Sequence, residues 1–467
     1  MLDPHLIRRT LELAAAHGAD LAELFVEDVR SSSASLDDGR VEDLVSGRDR
    51  GAGIRVIVGE RTGFAHTADL SPEGLAETAR VAAASARGSA SGGRRVALDP
   101  PARAYAAPVR TDPGTVGKAD KVELLRRADE AARAGRAEVS QVAARYGDVR
   151  RRVLVANTDG VFVTDDLTKT SFSVSVVAKG DAGLQTGRHS VGRVAGFELF
   201  DVAAGGYDVE ELARMAAARA IRKLDARPAP SGALPVVIAG GSGGVLFHEA
   251  CGHGLEADLV DKGASVFAGR RGEQVASSLV TLVDDGTLVG EWGYFGIDDE
   301  GNPARRNVLI ERGVLTDYLY DSQQARKAGR PGSGNGRRQS YRHLPMVRMT
   351  NTYITGGDSD PADIIASTDY GVYVAQLGGG QVNTASGDFV FGMTEAYLIE
   401  GGVITAALRD GNLIGNGPAA LAAIDAVGTD FSMGYPGTCG KDGQGVPVGM
   451  GTPTLRVPSL TVGGTAA

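Results

Sequence analysis

The sequence has few of the residues from which disulfide frameworks and membrane spans are built. Only two cysteines, Cys251 and Cys439, occur among its 467 residues. A disulfide-rich scaffold is therefore excluded, and a metal-binding or reactive role is favoured for at least one of the two thiols. No apolar run reaches the roughly 18 residues that a membrane-spanning helix requires. We therefore predict a chain without a membrane partner.

Basic residues are also fewer than acidic residues. The chain has 49 Lys and Arg against 58 Asp and Glu, which gives a formal net charge of −9. This balance argues against nucleic acid or an anionic membrane surface as the main partner, because both attract positively charged surfaces. Residues 1–20 lack the pattern of a secretion signal, and they instead predict a helix with Asp3 as N-cap and Pro4 in its first turn. We therefore expect a cytoplasmic protein.

The length of the chain favours more than one domain. A chain of 467 residues exceeds what one simple core accommodates, so we expect two. The segment DARPAPSG (225–232) is rich in proline and small polar residues, as linkers are. We place the boundary there, which gives an N-terminal domain of residues 1–228 and a C-terminal domain of residues 229–467.

The two halves differ in their secondary-structure signals. Helix and strand signals alternate in the first half, where TSFSVSVVA (170–178) switches between apolar and polar residues and predicts a strand with one buried face. The second half is dense in glycine and in strand signals, such as NVLIERGVLTDYLYD (307–321) with its turn at Arg312 and Gly313. The predicted class is α+β, a mixed α/β N-terminal domain followed by a β-rich, barrel-like C-terminal domain.

The segment GVLFHEACGHGLEAD (244–258) has the strongest chemical signal. Histidine is scarce, with seven in the chain, yet His248 and His253 flank Glu249. Imidazole is a good zinc ligand, and a neighbouring carboxylate can act as general base toward water. The histidines are five residues apart, however, which leaves them about 140° apart on an ideal α-helix. A metal site therefore requires one i→i+5 turn, a π-bulge, which the glycines on both sides of His253 would allow. On spacing alone, two unrelated histidines are the alternative.

A catalytic zinc ion takes three protein ligands, so one more must come from elsewhere. Cys439, in the glycine-rich segment YPGTCGKDGQGVP (435–447), is the leading candidate because zinc favours thiolate. A small buried thiol in a tight turn is the alternative for this residue. Glu256 and Asp258 are alternative oxygen ligands, or hydrogen-bond partners of a histidine. Cys251 would project from another side of the helix, so we assign it to packing.

A rival chemistry uses the same stretch of chain. The glycine-rich loop around Ser242 matches the G-x-S-x-G pattern of a nucleophile elbow. A triad would then need a later acid and His343, the one histidine after His253. Any serine in a glycine-rich loop can match this pattern, and the Lys-Ser/Thr of a phosphate-binding P-loop is missing. Both readings are therefore minor alternatives.

These residues resemble a known family. HEACGHGLEAD is similar to the HExxxH signature of the TldD/PmbA family, proteins once called modulators of DNA gyrase. Three further segments are similar to the C-terminal blocks of that family: RRQSYRHLPMVRMTNTYI (337–354), QLGGGQVNTASGDFVFGMTEAYLIEGG (376–402) and GTCGKDGQGVPVGMGTPTLRV (437–457). The first half is similar in its order of elements but has no sharp motif. The resemblance covers nearly the full chain.

The resemblance implies a site, an activity and partners. It implies His248, His253 and Cys439 as zinc ligands and Glu249 as the catalytic residue of a peptidase that cleaves unfolded or short peptides. PmbA-type subunits, also called TldE, lack the histidine motif, so this chain resembles the TldD type. A heterodimer with a PmbA/TldE-type subunit is implied, or failing that a homodimer. Ser242 matches no catalytic position of the family. The alternative from another class is a non-catalytic scaffold subunit, which has no need to retain zinc.

Overall fold

One large sheet covered by helices forms the first half of the chain. A computed structural model describes residues 2–16, 18–86, 96–105, 107–181 and 183–465. The strands of this half are β1 (Leu21–Asp37), β2 (Arg40–Val58), β3 (Arg61–Thr67), β4 (Ala102–Arg103), β5 (Val139–Asn157), β6 (Phe162–Gly180) and β7 (Gly183–Arg193). Its helices are α1 (Pro4–Ala14), α2 (Pro72–Ser85), α3 (Lys118–Arg133) and α4 (Val209–Arg222). The sheet order is β3-β2-β1-β5-β6, with β7 and the short β4 also paired to β6.

The helices cover two separate parts of this sheet. Apolar residues of α1 and α2 pack with β1, β2 and β5 in one core, while those of α3 and α4 pack with β5, β6 and β7 in another. The predicted start of α1 is confirmed, since the Asp3 side chain accepts a hydrogen bond of 2.8 Å from the His5 N–H and Pro4 opens the helix. The alternation predicted for residues 170–178 is confirmed as well: Phe172, Val174 and Val176 are buried on one face of β6.

The second half contains shorter elements. Its strands are β8 (Arg227–Pro228), β9 (Gly232–Ile238), β10 (Leu282–Asp285), β11 (Arg306–Glu311), β12 (Val314–Leu315), β13 (Gly336–Arg337), β14 (Met346–Val347), β15 (Asn351–Ile354), β16 (Tyr370–Val382), β17 (Asp388–Glu400), β18 (Val403–Arg409), β19 (Asn412–Asn416), β20 (Ala426–Val427), β21 (Ser432–Met433), β22 (Gly437–Lys441), β23 (Gln444–Thr452) and β24 (Leu455–Gly463). Its helices are α5 (Gly244–Phe247), α6 (Ala257–Asp261), α7 (Ser322–Lys327), α8 (Pro361–Ala366) and α9 (Gly417–Ala423).

A closed barrel dominates this half. The strands follow the order β16-β9-β24-β19-β17, and β17 pairs back with β16, so that five strands close on themselves. Closure leaves these strands without an open sheet edge along their paired segments. The predicted hairpin is also present: β11 and β12 are joined by Arg312 and Gly313, whose φ angles are 48° and 83°. The α+β class with a barrel-like second half is confirmed.

Buried ion pairs join the two halves. Arg55 on β2 is 1% exposed and donates to both Glu23 and Glu300, each over 2.7 Å. Arg338 donates to the same Glu23. Since Glu300 and Arg338 belong to the second half, these side chains fix the first sheet against it. Removing one member of such a buried pair costs about 3–5 kcal/mol, because its partner is left as an uncompensated charge.

The position of the domain boundary stays a prediction. The short strand β8, inside the linker segment 225–232, pairs in parallel with β18 of the second half. We keep the division into residues 1–228 and 229–467 as a proposal. Within the described part of the chain, no helix has both the length and the apolar character needed to cross a membrane.

Candidate metal centre

The histidine segment leaves the α-helical path for one turn. Helix α5 runs directly into a π-helical turn, His248–Gly252, and a short 3₁₀ turn, His253–Leu255, follows it. The backbone N–H of His253 donates to the carbonyl oxygen of His248, five residues earlier. The two imidazole rings consequently lie with their centroids 5.3 Å apart. The predicted π-bulge is confirmed, and it brings both rings to one site.

Close packing explains the glycine that ends this turn. Gly252 has an ordinary helical φ of −57°, so backbone freedom is not what the position requires. A Cβ atom there would instead lie 2.2 Å from Sδ of Met349. Backbone freedom, which was the predicted reason for this glycine, is therefore not required. A side chain here would require Met349 to move.

Cys439 reaches the histidines from a distant strand. It lies on β22, opposite Val446 of β23, and it is 1% exposed. Its Sγ is 3.3 Å from Nε2 of His253. One donor atom from each of His248, His253 and Cys439 lies within 4.8 Å of the other two. The fold thus brings together the three residues that the sequence suggested as ligands.

The chemistry of these three donors fits a metal ion. Both ring nitrogens of His248 are buried and have no hydrogen-bond partner among the described residues. Burying a polar atom without a partner is costly, and a metal ion would satisfy one of the two nitrogens. Burial raises the pKa of the Cys439 thiol, but the adjacent imidazoles of His248 and His253 outweigh it and hold this pKa at about 4. The thiolate, which is the form that binds metals, is therefore favoured at neutral pH.

A second layer of charged groups supports His253. Its Nδ1 lies 2.9 Å from Oε2 of Glu256, which is fully buried. Nζ of Lys441 donates to Glu256 over 2.9 Å and to Asp258 over 2.7 Å. Burial raises the pKa of Glu256, but His253 and Lys441 hold it at about 2. A carboxylate hydrogen-bonded to an imidazole fixes the orientation of the ring, and Glu256 is placed to do so for His253. Asp258 accepts a second hydrogen bond from Lys441.

Sequence reasoning missed Lys441. A signal for it was available, because Lys441 is two residues after Cys439 on the same strand and side chains two apart point to the same face. Its position on a strand, and not in a loop, was the missing information.

Glu249 is more exposed than its immediate neighbours in the segment. Its side chain is 33% exposed, and its Oε2 is 3.7 Å from Nε2 of His253. From residue 244 to residue 258, every residue is buried except Val245 and Glu249. These two residues are four apart, so they define one open face of the segment. The carboxylate is therefore accessible from outside while staying next to the buried donor atoms.

The remaining sequence candidates have other roles. Cys251 is fully buried in the core of the second half, and burial raises its pKa, which makes it an inert thiol. The Ser242 hydroxyl accepts a hydrogen bond of 2.9 Å from the Leu377 N–H. His343 lies instead 2.9 Å from the hydroxyl of Ser340. Ser242 and His343 thus have separate partners, which removes the basis for a serine hydrolase triad.

The role of Glu256 can be measured through metal affinity. We expect Glu256→Gln to weaken Zn²⁺ binding roughly 10- to 100-fold, because the imidazole of His253 loses a charged acceptor that fixes its orientation. Competition with a chromophoric chelator measures this affinity. Glu273→Gln, an exposed carboxylate paired only with Arg270, is the matched control and should bind Zn²⁺ normally. Equal affinities of the two variants would contradict the assignment.

Known proteins match the chain from its first strand to its last. Residues 22–86 match domain 1 of the PmbA/TldA metallopeptidases, residues 111–224 match their central domain, and residues 231–464 match their C-terminal domain. The chain is 39% identical over 472 residues to the metalloprotease TldD homolog of Haemophilus influenzae, with 99% of this chain and 97% of the relative covered. It is 38% identical over 459 residues to the metalloprotease TldD homolog of Buchnera aphidicola (subspecies Schizaphis graminum), with 97% and 95% covered.

A solved structure has the same fold. The crystal structure of TldE from Thermococcus kodakarensis superimposes with a TM-score of 0.79 at 21% sequence identity, and the match covers 98% of this chain and 99% of that chain. This likeness concerns the fold alone. The family follows from the three matched domains and from relatives that are nearly 40% identical over almost the full length. The chain belongs to the TldD/PmbA metallopeptidase family.

Proposed function

We propose that this chain is a zinc-dependent peptidase whose metal is held by His248, His253 and Cys439. The observation that carries the proposal is the set of three buried donors within 4.8 Å of one another, with an accessible carboxylate beside them. Two imidazoles and a thiolate suit zinc, and three protein ligands leave one coordination position free, as catalytic zinc sites do. When bound, zinc supplies Lewis acidity toward a water molecule and a peptide carbonyl.

Glu249 is the general base in this proposal. Its Oε2 accepts a proton from the attacking water and then passes that proton to the nitrogen of the leaving amine. The accessible face shared with Val245 admits both water and peptide to the carboxylate. The neighbouring His248 side chain is fully buried, so adjacent residues serve the metal and the proton separately.

We propose unfolded or short extended peptides as substrates. Strand β16 pairs with β9 only at residues 372–374, so in the described structure its later residues have no backbone partner on that side. Gly378 and Gly379 lie in this stretch, and a side chain at Gly379 would meet no atom within 4 Å. A peptide can add there as a strand, with main-chain hydrogen bonds providing affinity. Gly380 is different, because a Cβ atom there would lie 2.3 Å from the Phe391 ring.

We further propose that the chain works as a dimer, with a PmbA/TldE-type subunit or with a second copy of itself, in the cytoplasm. In the second half, barrel closure removes most of the open sheet edges to which a partner could add. The first half has an open edge. Strand β3 pairs with β2 only at residues 52–58, and the preceding residues 40–50 are exposed. Val41, Leu44 and Val45 lie on this open edge, which a partner would cover.

Substitution separates the metal ligands from the base. Glu249→Gln should lower turnover by at least about 10²-fold and keep zinc, because a carboxamide cannot accept the proton. His248→Ala, His253→Ala and Cys439→Ala should each lose zinc and activity together. Elemental analysis and peptide hydrolysis measure the two properties. Cys251→Ala, which removes the other buried thiol, is the matched control and should retain zinc. Full zinc retention in Cys439→Ala would remove this residue from the ligand set.

Cleavage should follow the unfolded fraction of a substrate. Strand addition needs free N–H and C=O groups on the peptide, which a folded protein rarely offers. A marginally stable protein, its destabilised mutant and short peptides from its sequence should be compared at equal concentration. The peptides and the mutant should be cleaved faster than the stable form. Equal rates on native and unfolded forms would refute the proposed substrate class.

The active species should be larger than one chain. Light scattering coupled to size-exclusion chromatography gives the mass, and peptide hydrolysis is assayed in the same fractions. Activity should elute with a dimer of this chain or with its complex with a PmbA/TldE-type subunit. Val45→Lys, which places a charge on the open edge of β2, should reduce the dimer fraction. A fully active monomer would reject the proposal.

A further inference from the structure

A cavity of about 620 Å³ lies between the two halves of the chain. Strand β7 and helix α4 of the first half form one side, and residues of the second half form the other. Its charged lining residues are all cations, namely Arg188, Arg193, Arg219 and Lys223. No Asp or Glu is among the described residues that line it, although the chain as a whole has a net charge of −9. We call this space the cationic cavity.

The cationic cavity borders the proposed catalytic centre. Val245 lines it, and Val245 shares the open face of its segment with Glu249. Pro436 also lines it, three residues before Cys439. Gly379, on the unpaired stretch of β16 where a peptide could add, is part of the same wall. A peptide lying along β16 would therefore extend into this space.

Two of the four cations form no side-chain hydrogen bond or ion pair within the described part of the chain. Arg219 forms an ion pair with Glu395, and Arg193 lies 3.4 Å from a carboxylate oxygen of Glu291. Lys223 and Arg188 have no side-chain hydrogen bond or ion pair among the described residues. Burial lowers the pKa of Lys223, with Glu395 and Asp410 acting in the opposite direction. A half-buried ammonium group that has no hydrogen-bonded anion can donate strong, charge-assisted hydrogen bonds to a bound anion.

A ring nitrogen of His189, which also lines the cationic cavity, lacks a hydrogen-bond partner among the described residues. Nδ1 of His189 is buried and has no hydrogen-bond partner in the described part of the chain. The ring of His189 packs edge-on against Tyr435, with centroids 5.1 Å apart, so the imidazole is held in place. A polar atom without a partner, in a fixed ring that lines the same cavity as Lys223, is suited to a bound polar group.

We propose that the cationic cavity binds a carboxylate of the peptide substrate, with Lys223 as the main contact and Arg188 as a second one. This inference rests on the proposed peptidase function and adds a substrate class to it. The C-terminal carboxylate of a short peptide and the side chain of an internal Asp or Glu share the required chemistry. The chain would therefore prefer peptides that present a carboxylate near the scissile bond over uncharged ones.

Binding to an inactive variant tests this preference without cleavage. Three peptides are needed. Two share one sequence and differ only in having a free C-terminal acid or a C-terminal amide. The third is the amide with one internal Gln replaced by Glu. Their Kd values for zinc-loaded Glu249→Gln are measured by calorimetry. We expect the free acid to bind roughly tenfold or more tightly than the amide, as hydrogen bonds to charged groups do, and the difference to shrink as salt is added. Tight binding of the Glu-containing amide would identify a side-chain carboxylate as the ligand.

Substitutions then assign the preference to the cavity. Lys223→Gln in the same background should bring the acid-to-amide ratio close to one, and Lys223→Arg should retain part of it. Lys179→Gln, an exposed lysine of the same half that lies outside the cavity, is the matched control and should keep the full ratio. Equal Kd values for all three peptides, or an unchanged ratio in Lys223→Gln, would overturn the inference.

Hydrolysis of the same three peptides by the unsubstituted protein distinguishes a failure of this inference from a failure of the proposed peptidase function. Hydrolysis without any preference for a carboxylate would leave the peptidase intact and reject the carboxylate site. Carboxylate-dependent binding without hydrolysis would retain the site and reject the peptidase.

Discussion

One backbone hydrogen bond, from the His253 N–H to the His248 carbonyl, sets the geometry on which the rest of the centre depends. An unbroken α-helix would leave residues five apart about 140° away from each other around the axis. The π turn removes this separation, so that the two imidazoles share one buried site. It also leaves Glu249 on the open face with Val245. Buried apolar residues on both sides, Phe247 and Leu255, anchor the turn in the core.

Charge balance explains the groups behind the donors. The thiolate of Cys439 and the carboxylates of Glu256 and Asp258 are three anionic groups in a buried cluster, and Lys441 is one cation. A divalent cation would offset part of this negative charge. Buried charges are tolerated where they are paired, so a bound metal ion would suit the cluster. The same argument explains why Lys441 is placed against two carboxylates.

Sequence reasoning succeeded where the determining residues are close together in the chain. The π turn followed from the five-residue spacing, the start of α1 from Asp3 and Pro4, and the β11–β12 hairpin from two adjacent turn residues. It failed where partners come from distant segments. Nothing local to Arg55 indicates that it meets Glu300, 245 residues away. The packing of Met349 on Gly252 and the position of Lys441 depend on tertiary contacts in the same way.

The contacts between the two halves therefore have a functional consequence. The walls of the cationic cavity come from both halves, so its width depends on how β7 and α4 are held over the second half. Glu395, on β17, pairs with Arg219 and with Arg222 on α4, directly at this junction. The network around Arg55 fixes the other part of the same sheet. The metal donors, by contrast, all belong to the second half. The proposed ligand set thus lies within one half, whereas the cationic cavity depends on the contacts that hold the two halves together.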